Sequence, residues 1–331
     1  MAAGNSSASV WSLLSCGEEV VSGEGQEAQV RPRRWSPFLQ RLRLCDKTRG
    51  RGQVAAEPMR RGTALNIAEI PVFILCGGLG TRLKEMTEFR PKPMVTIGPD
   101  PILLHIMKHY SSFGFCRFVL CMGYKSEIIR DYFLNFYEMN SDVTIELKTN
   151  SVEVHSVDHS CDWRVTLAYT GELTMTGGRV ARAAARYLGE AEHYAVTYGD
   201  GLTDADLGAE LDYHLSHGRT GTVLGVNPPS RFGEFRMDGN ELVEFVEKPE
   251  LHSAWINGGY FFFRRSFNRY LSPAEDCVLE REPLSKLARD GQLAVFQHRH
   301  FWACMDTQRD HEYLTRLWES GSAPWARTLD R

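Results

Sequence analysis

The chain has 331 residues, 43% of them apolar and both signs of charge mixed, as in an ordinary globular enzyme of one large domain or two smaller ones. Its net charge of −4 is uneven: residues 1–68 carry ten Lys and Arg against six Asp and Glu, which leaves the remainder near −8 and argues against nucleic acid as a partner. No apolar run approaches a membrane span, and eight cysteines without C-x-x-C pairs read as reduced thiols of the cytoplasm.

Residues 1–68 differ from the rest. Ser, Gly and Ala dominate the opening, and a basic, poorly periodic stretch follows, RPRRWSPFLQRLRLCDKTRGRG. The run VWSLLSC is too short for a secretory signal and has no basic residue before it, while Glu18, Glu19, Glu24 and Glu27 count against a transit peptide. The segment is expected to be a disordered N-terminal extension without a catalytic part.

From residue 69 to about 325, strand-like and helical patterns alternate, as a doubly wound, Rossmann-like α/β sheet requires. Pro71 to Leu75 is a short apolar strand that breaks into Cys76-Gly77-Gly78-Leu79-Gly80-Thr81-Arg82. Three glycines in four positions let a ligand approach the backbone N–H groups, and Arg82 adds a cation, so the loop suits phosphate. It is not a P-loop, because no G-K-[ST] follows, and Leu83 breaks the dinucleotide fingerprint. Cys76 reads as a small buried thiol. Lys92, between Pro91 and Pro93, projects from a stiffened segment with little freedom to lose. Amides, an arginine and a held lysine suit a polyphosphate whose charge must be stabilised during reaction.

A helix is expected at Ile102–Phe113, a strand at Arg117–Met122 and a helix at Lys125–Tyr137, then a hairpin from Asp142–Leu147 and Ser151–Val157. The strand Trp163–Thr170 delivers a second loop that opens a helix to Leu188. There Gly177 and Gly178 leave room for a flat base, and Thr176 and Arg179 offer it hydrogen-bonding groups. His193–Tyr198 is a buried strand ending in Gly199-Asp200-Gly201, and a carboxylate at such a strand end is a candidate metal ligand. After a helix at Asp206–His217 and a strand at Thr220–Val226 the pattern turns antiparallel, with a hairpin from Phe232–Met237 and Leu242–Glu247. A smaller antiparallel part is therefore expected from about 227. Phe261–Phe263 is an apolar strand, followed by a helix at Glu282–Asp290, a strand at Leu293–Gln297 and a final helix from Arg309 to Trp318.

The set GGLGTRL, RPKPM, MTGGR, YGDG, RFGEF, EKP, WINGGYF and MDT, in that order, resembles the signature of the sugar-1-phosphate nucleotidyltransferases. Its nearest likeness is to the glucose-1-phosphate cytidylyltransferase branch. The resemblance implies a nucleotide-binding half, about 69–226, and a sugar-binding half, about 227–325. It implies transfer of CMP from CTP to glucose 1-phosphate, with release of pyrophosphate. Leu75, Gly77, Gly78, Gly80, Thr81, Thr176, Gly178, Arg179 and Gly199 would bind nucleotide, with Arg82 and Lys92 catalytic. Asp200 and Asp306 would hold Mg²⁺, and Arg231, Gly233, Glu247, Lys248, Asn257 and Gly258 would bind the sugar phosphate. It further implies a homo-oligomer, with the 142–157 hairpin near the subunit contact, and a sugar-nucleotide pathway. Transfer of thymidylyl or uridylyl groups, or a non-catalytic regulatory relative, are the alternatives. The presence of Arg82, Lys92, Asp200, Lys248 and Asp306 favours the enzyme over the latter.

Overall fold

A computed structural model describes residues 65–78, 80, 83–155, 162–227, 234–246 and 255–327. The expected extension lies outside them except for its last four residues. The 3-10 turn Ile67–Glu69 is capped by Asn66, whose side chain accepts from the Ala68 N–H at 3.2 Å.

Seven strands form one sheet: β1 (Pro71–Leu75), β2 (Arg117–Met122), β3 (Arg164–Tyr169), β4 (His193–Tyr198), β5 (Gly221–Val226), β6 (Ile256–Arg264) and β7 (Leu293–His298). Their spatial order is β7-β5-β6-β4-β1-β2-β3, with β6 antiparallel to both neighbours and every other pairing parallel. Successive side chains of a strand point to opposite faces, so an apolar run is what burial on both faces demands. In β1, Val72 and Ile74 enter one core cluster, and Phe73 and Leu75 the other.

Helices α1 (Ile102–Ser112), α2 (Ser126–Leu134), α3 (Thr176–Tyr187), α4 (Leu207–Ser216), α5 (Glu282–Arg289) and α6 (Gln308–Glu319) cover those faces. Ile106, Tyr110, Ile129, Leu211 and Leu314 pack on the first, while Val180, Ala183 and Leu287 pack on the second. The result is the three-layer α/β architecture expected from the alternating pattern.

β2 and β4 have the bounds expected from their apolar runs. The helix expected at Lys125–Tyr137 is shorter. Lys125 has a φ of 52°, and the helix stops at Leu134, where Asn135 Nδ2 bonds back to the Asp131 carbonyl at 2.9 Å; a separate turn follows at Phe136–Met139. Among the described residues, three antiparallel hairpins stand outside the main sheet, Thr96–Ile97 with Asp100–Pro101, Asp142–Glu146 with Ser151–His155 and Glu234–Asp238 with Glu241–Val246. A short pairing not foreseen joins Gly201–Thr203 to Trp302–Cys304. Among the described residues, no helix is long and apolar enough to cross a membrane.

Candidate active site

The chain runs from β1 to β2 on one side of the sheet and returns as β4 on the other. Strand order reverses there, and the carboxyl ends of β1 and β4 open a crevice of the kind in which α/β sheets take ligands. Leu75 is paired with Tyr198, so the glycine loop and Gly199-Asp200 leave the sheet side by side. The Gly199 N–H donates to the Leu75 carbonyl at 3.1 Å. A Cβ at Gly199 would come within 2.8 Å of that oxygen and 2.9 Å of Pro93 Cγ, so this glycine lets the Lys92-Pro93 turn close on the strand end. The cleft above encloses about 470 Å³, within the range of small-molecule sites. Leu75, Gly77, Gly78, Gly80, Lys92, Thr176, Arg179, Gly199, Asp200 and Asp306 all line it.

At its floor, Lys92 Nζ donates to Asp200 Oδ2 at 2.7 Å and to Asp306 Oδ1 at 2.6 Å. Burial opposes the charge on Lys92, but the two carboxylates outweigh it and push the ammonium up to about 12. Lys92 is therefore a fixed cation and no base. The two aspartates, a hundred residues apart, are brought together by the unforeseen strand pair: Cys304 lies opposite Gly201, and the Met305 N–H donates to the Asp200 carbonyl at 2.9 Å. Asp306 stands before α6, where Thr307 and Asp310 form a capping box and Asp310 Oδ2 also accepts from the Asp306 N–H at 3.1 Å.

Cys304 is a third neighbour absent from the sequence expectation. Asp200, Cys304 and Asp306 each place a ligand atom within 4.8 Å of the others. Cys304 ends the strand Trp302–Cys304 and Asp306 follows it outside the strand, so their C-x-D spacing carried no strand-period signal. Burial, then the Asp200 carboxylate, pushes the Cys304 thiol up and keeps it protonated. The Asp200 and Asp306 side chains, 26% and 27% exposed, line the open cleft, and their hard carboxylate oxygens suit a divalent cation.

Arg179 lines the cleft and is held by the protein around it. Its guanidinium is buried and donates to five acceptors: the carbonyls of Met122, Gly171, Glu172 and Gly77, and Thr170 Oγ1. It ties the glycine loop to the 170–172 loop, and a Cβ at Gly77 would overlap it. What Arg179 supplies is the shape of the wall. Around Gly78, by contrast, a Cβ would meet nothing within 4 Å among the described residues, while Gly80 turns with φ +63°.

The room assigned to a flat base at Gly177 and Gly178 is filled by the protein itself. The Gly178 N–H donates to the Cys277 carbonyl at 3.0 Å, and Cβ atoms there would collide with the 274–279 segment. Gly258 likewise packs on β5, 2.9 Å from the Leu224 carbonyl were a Cβ present, and its own carbonyl accepts from Trp302 Nε1 at 2.7 Å. The Thr176 hydroxyl accepts from the Leu279 N–H at 2.9 Å and donates to Glu280 Oε2 at 2.8 Å. Asn257 is exposed, with Nδ2 donating to the Tyr198 hydroxyl at 3.3 Å and Oδ1 accepting from the Gly259 N–H at 2.8 Å. Cys76 is buried as expected, and burial pushes its thiol up. Thr81, Arg82, Arg231, Gly233, Glu247 and Lys248 lie outside the described residues.

The sequence profile of the nucleotidyl transferase family matches residues 71–307. Over 252 residues the chain is 46% identical to the glucose-1-phosphate cytidylyltransferase of Salmonella typhi, spanning 76% of this chain and 97% of that one. The counterpart in Salmonella typhimurium has the same identity and coverage. Among solved structures, HddC from Yersinia pseudotuberculosis superposes with a TM-score of 0.53 at 23% identity, covering 75% of this chain and 99% of that one, a likeness of fold. With a profile match over most of its length and relatives at this identity, built around a switch-point cleft, the chain belongs to the nucleotidyl transferase family of enzymes.

Proposed function

We propose that this enzyme transfers CMP from CTP to α-D-glucose 1-phosphate, giving CDP-glucose and pyrophosphate. The observation that carries the proposal is the meeting of Lys92, Asp200 and Asp306 at one point of the cleft floor, in a chain 46% identical to a glucose-1-phosphate cytidylyltransferase.

In this reading, a phosphate oxygen of glucose 1-phosphate attacks the α-phosphorus of CTP. The bond from that phosphorus to the bridging oxygen breaks, and its electron pair leaves with pyrophosphate. The attacking oxygen is already anionic, so no base is required, and catalysis is positioning and charge stabilisation. The backbone from Leu75 through Gly77, Gly78, Gly80 and Thr81 cradles the triphosphate, and Arg82 meets the charge of the departing pyrophosphate. Lys92 binds the α-phosphate. Thr176, Gly178, Arg179 and Gly199 shape the nucleotide wall.

Asp200 and Asp306 would hold Mg²⁺, which when bound neutralises phosphate charge in such sites. In the sugar half, from about 227 to 325, Lys248 and Arg231 meet the sugar phosphate. Glu247 and Asn257 meet the hydroxyls, beside Gly233 and Gly258. The nucleotide half is about 69–226, with residues 1–68 as a non-catalytic extension.

A homo-oligomer is part of the same reading. In the 142–155 hairpin Val143 is paired with Val154 and Ile145 with Val152, and all four form an exposed apolar stripe on one face that a second copy would cover. Cys76, Cys121, Cys277 and Cys304 are free thiols, which suits the reducing cytoplasm.

The test is pyrophosphate release from glucose 1-phosphate with CTP, UTP, dTTP, ATP and GTP in parallel, with and without Mg²⁺ and a chelator. Release with CTP alone, lost on chelation, is the expected result. Release with another base would overturn the choice of CTP and leave the chemistry standing. No release from folded protein would overturn the proposal.

A further inference from the structure

Glu280 belongs to no motif of the sequence, yet its carboxylate joins two walls of the cleft. Oε2 accepts the Thr176 hydroxyl at 2.8 Å, at the first residue of α3 on the nucleotide side. Oε1 accepts the hydroxyl of Tyr198, the last residue of β4 and two residues before Asp200. Each hydroxyl has one proton, and each spends it on Glu280. Their lone pairs take the other neighbours: Thr176 Oγ1 accepts from the Leu279 N–H at 2.9 Å, and the Tyr198 oxygen accepts from Asn257 Nδ2 at 3.3 Å.

The direction of every bond in this relay is therefore set. Its centre must take two hydroxyl protons with two separate oxygens, which an ionised carboxylate does without rotating a proton of its own. The Tyr198 ring lies against Gly259, where a Cβ would overlap it, and Gly259 has φ +80°. The relay thus runs Thr176–Glu280–Tyr198–Asn257, from the wall that faces nucleotide to the strand β6 assigned to the sugar.

We propose that Glu280 is a positioning residue that couples nucleotide binding to sugar-phosphate binding, holding Thr176 and Tyr198 in one register so that ordering either end orders the other. The inference rests on the function proposed above. Glu280 touches no reacting atom in this scheme, so its loss acts on binding more than on the chemical step. Coupling between sites is a free energy that appears equally in both affinities, on the order of a 5- to 150-fold effect.

The experiment measures calorimetric binding of the α,β-methylene analogue of CTP, which cannot turn over, with and without saturating glucose 1-phosphate. The wild type, Glu280→Ala, Glu280→Gln and Tyr198→Phe are compared, with steady-state kcat and KM for each. In the wild type, glucose 1-phosphate tightens the analogue at least about fivefold. Glu280→Ala and Tyr198→Phe lose that tightening and raise KM for both substrates about tenfold, with kcat changed less than about threefold. Glu280→Gln loses most of it as well, because its Oε1 still accepts from Tyr198 but its Nε2 cannot accept the Thr176 proton.

Undiminished tightening in either Glu280→Ala or Tyr198→Phe overturns the relay, as does a wild type that turns over CTP without any tightening. Should Glu280→Ala fail to fold, Tyr198→Phe and Glu280→Gln carry the test. A wild type that neither binds the analogue nor uses CTP refutes the proposed function itself, an outcome distinct from loss of coupling alone.

Discussion

Replacing Lys92 with methionine keeps the aliphatic stem and removes the charge between Asp200 and Asp306. The carboxylates raise the lysine from 10.5 to about 12, and a shift of that size corresponds to about 2 kcal/mol in favour of the charged form. Because the folded value is raised, this contribution is fully present below about pH 10.5 and lost as pH rises through 12. The side chain is only 13% exposed, so solvent screens little of it. In the variant, two carboxylates also share the floor without their cation. A loss of about 2 kcal/mol lowers the melting temperature of a domain this size by about 4–8 °C. Mg²⁺ should restore part of that in Lys92→Met and do less for the wild type, since the same two carboxylates would hold it. Turnover should fall about 10²- to 10³-fold, the scale for losing one preorganised charge-stabilising group. Scanning calorimetry with and without Mg²⁺, beside pyrophosphate release, reads both effects. A variant that melts with the wild type, ignores Mg²⁺ and turns over at near-normal rate would refute the reasoning.

Other perturbations follow from the same contacts. Glu210 on α4 is 0% exposed with no hydrogen-bond partner among the described residues for either carboxyl oxygen, and burial pushes its acid well above 4.5. Its folded value is raised, so stability falls as pH climbs above 4.5. Glu210→Met should stabilise by about 1–3 kcal/mol at pH 8 and by less at pH 4.5, and a gain that does not grow with pH in urea melts would refute this. Burial holds both His105 and His109 down to about 4. Neutral His105 donates from Nε2 to the Ile97 carbonyl at 2.9 Å, and its Nδ1 accepts from Trp325 Nε1 at 3.3 Å. Between pH 6.5 and 4 the unfolded chain binds protons that the folded chain refuses, so stability drops as pH falls through that window. These two residues should remove roughly 4 kcal/mol between pH 7 and 5, read as a lower urea midpoint. Gly77→Ala forces a Cβ into the Arg179 guanidinium, which five acceptors hold in place, whereas Gly78→Ala meets none of the described residues within 4 Å. The first should lower the melting temperature by about 5 °C or more and the second by less than about 2 °C; equal losses would refute the packing account.

Period and punctuation in the sequence determined the α/β class, the bounds of Arg117–Met122 and His193–Tyr198, the glycine loop after β1 and the isolation of Lys92 between prolines. These are local matters: side-chain direction, proline's fixed φ and glycine's open one act within a few residues. Asp200 could be named from its place after an apolar strand, and Asp306 only from the likeness of its motif to a family. Their meeting on one lysine was decided by the pairing of Gly201–Thr203 with Trp302–Cys304, two three-residue strands too short to announce themselves by period. A glycine in the sequence says that space is required and not what fills it. Gly77 yields to Arg179, Gly178 to the 274–279 segment and Gly259 to Tyr198, all neighbours supplied by distant parts of the chain. Glu280, exposed and in no motif, gains its place only where α3, β4 and the segment before α5 converge, because hydrogen-bond partners are chosen by tertiary geometry and leave no spacing to read in advance.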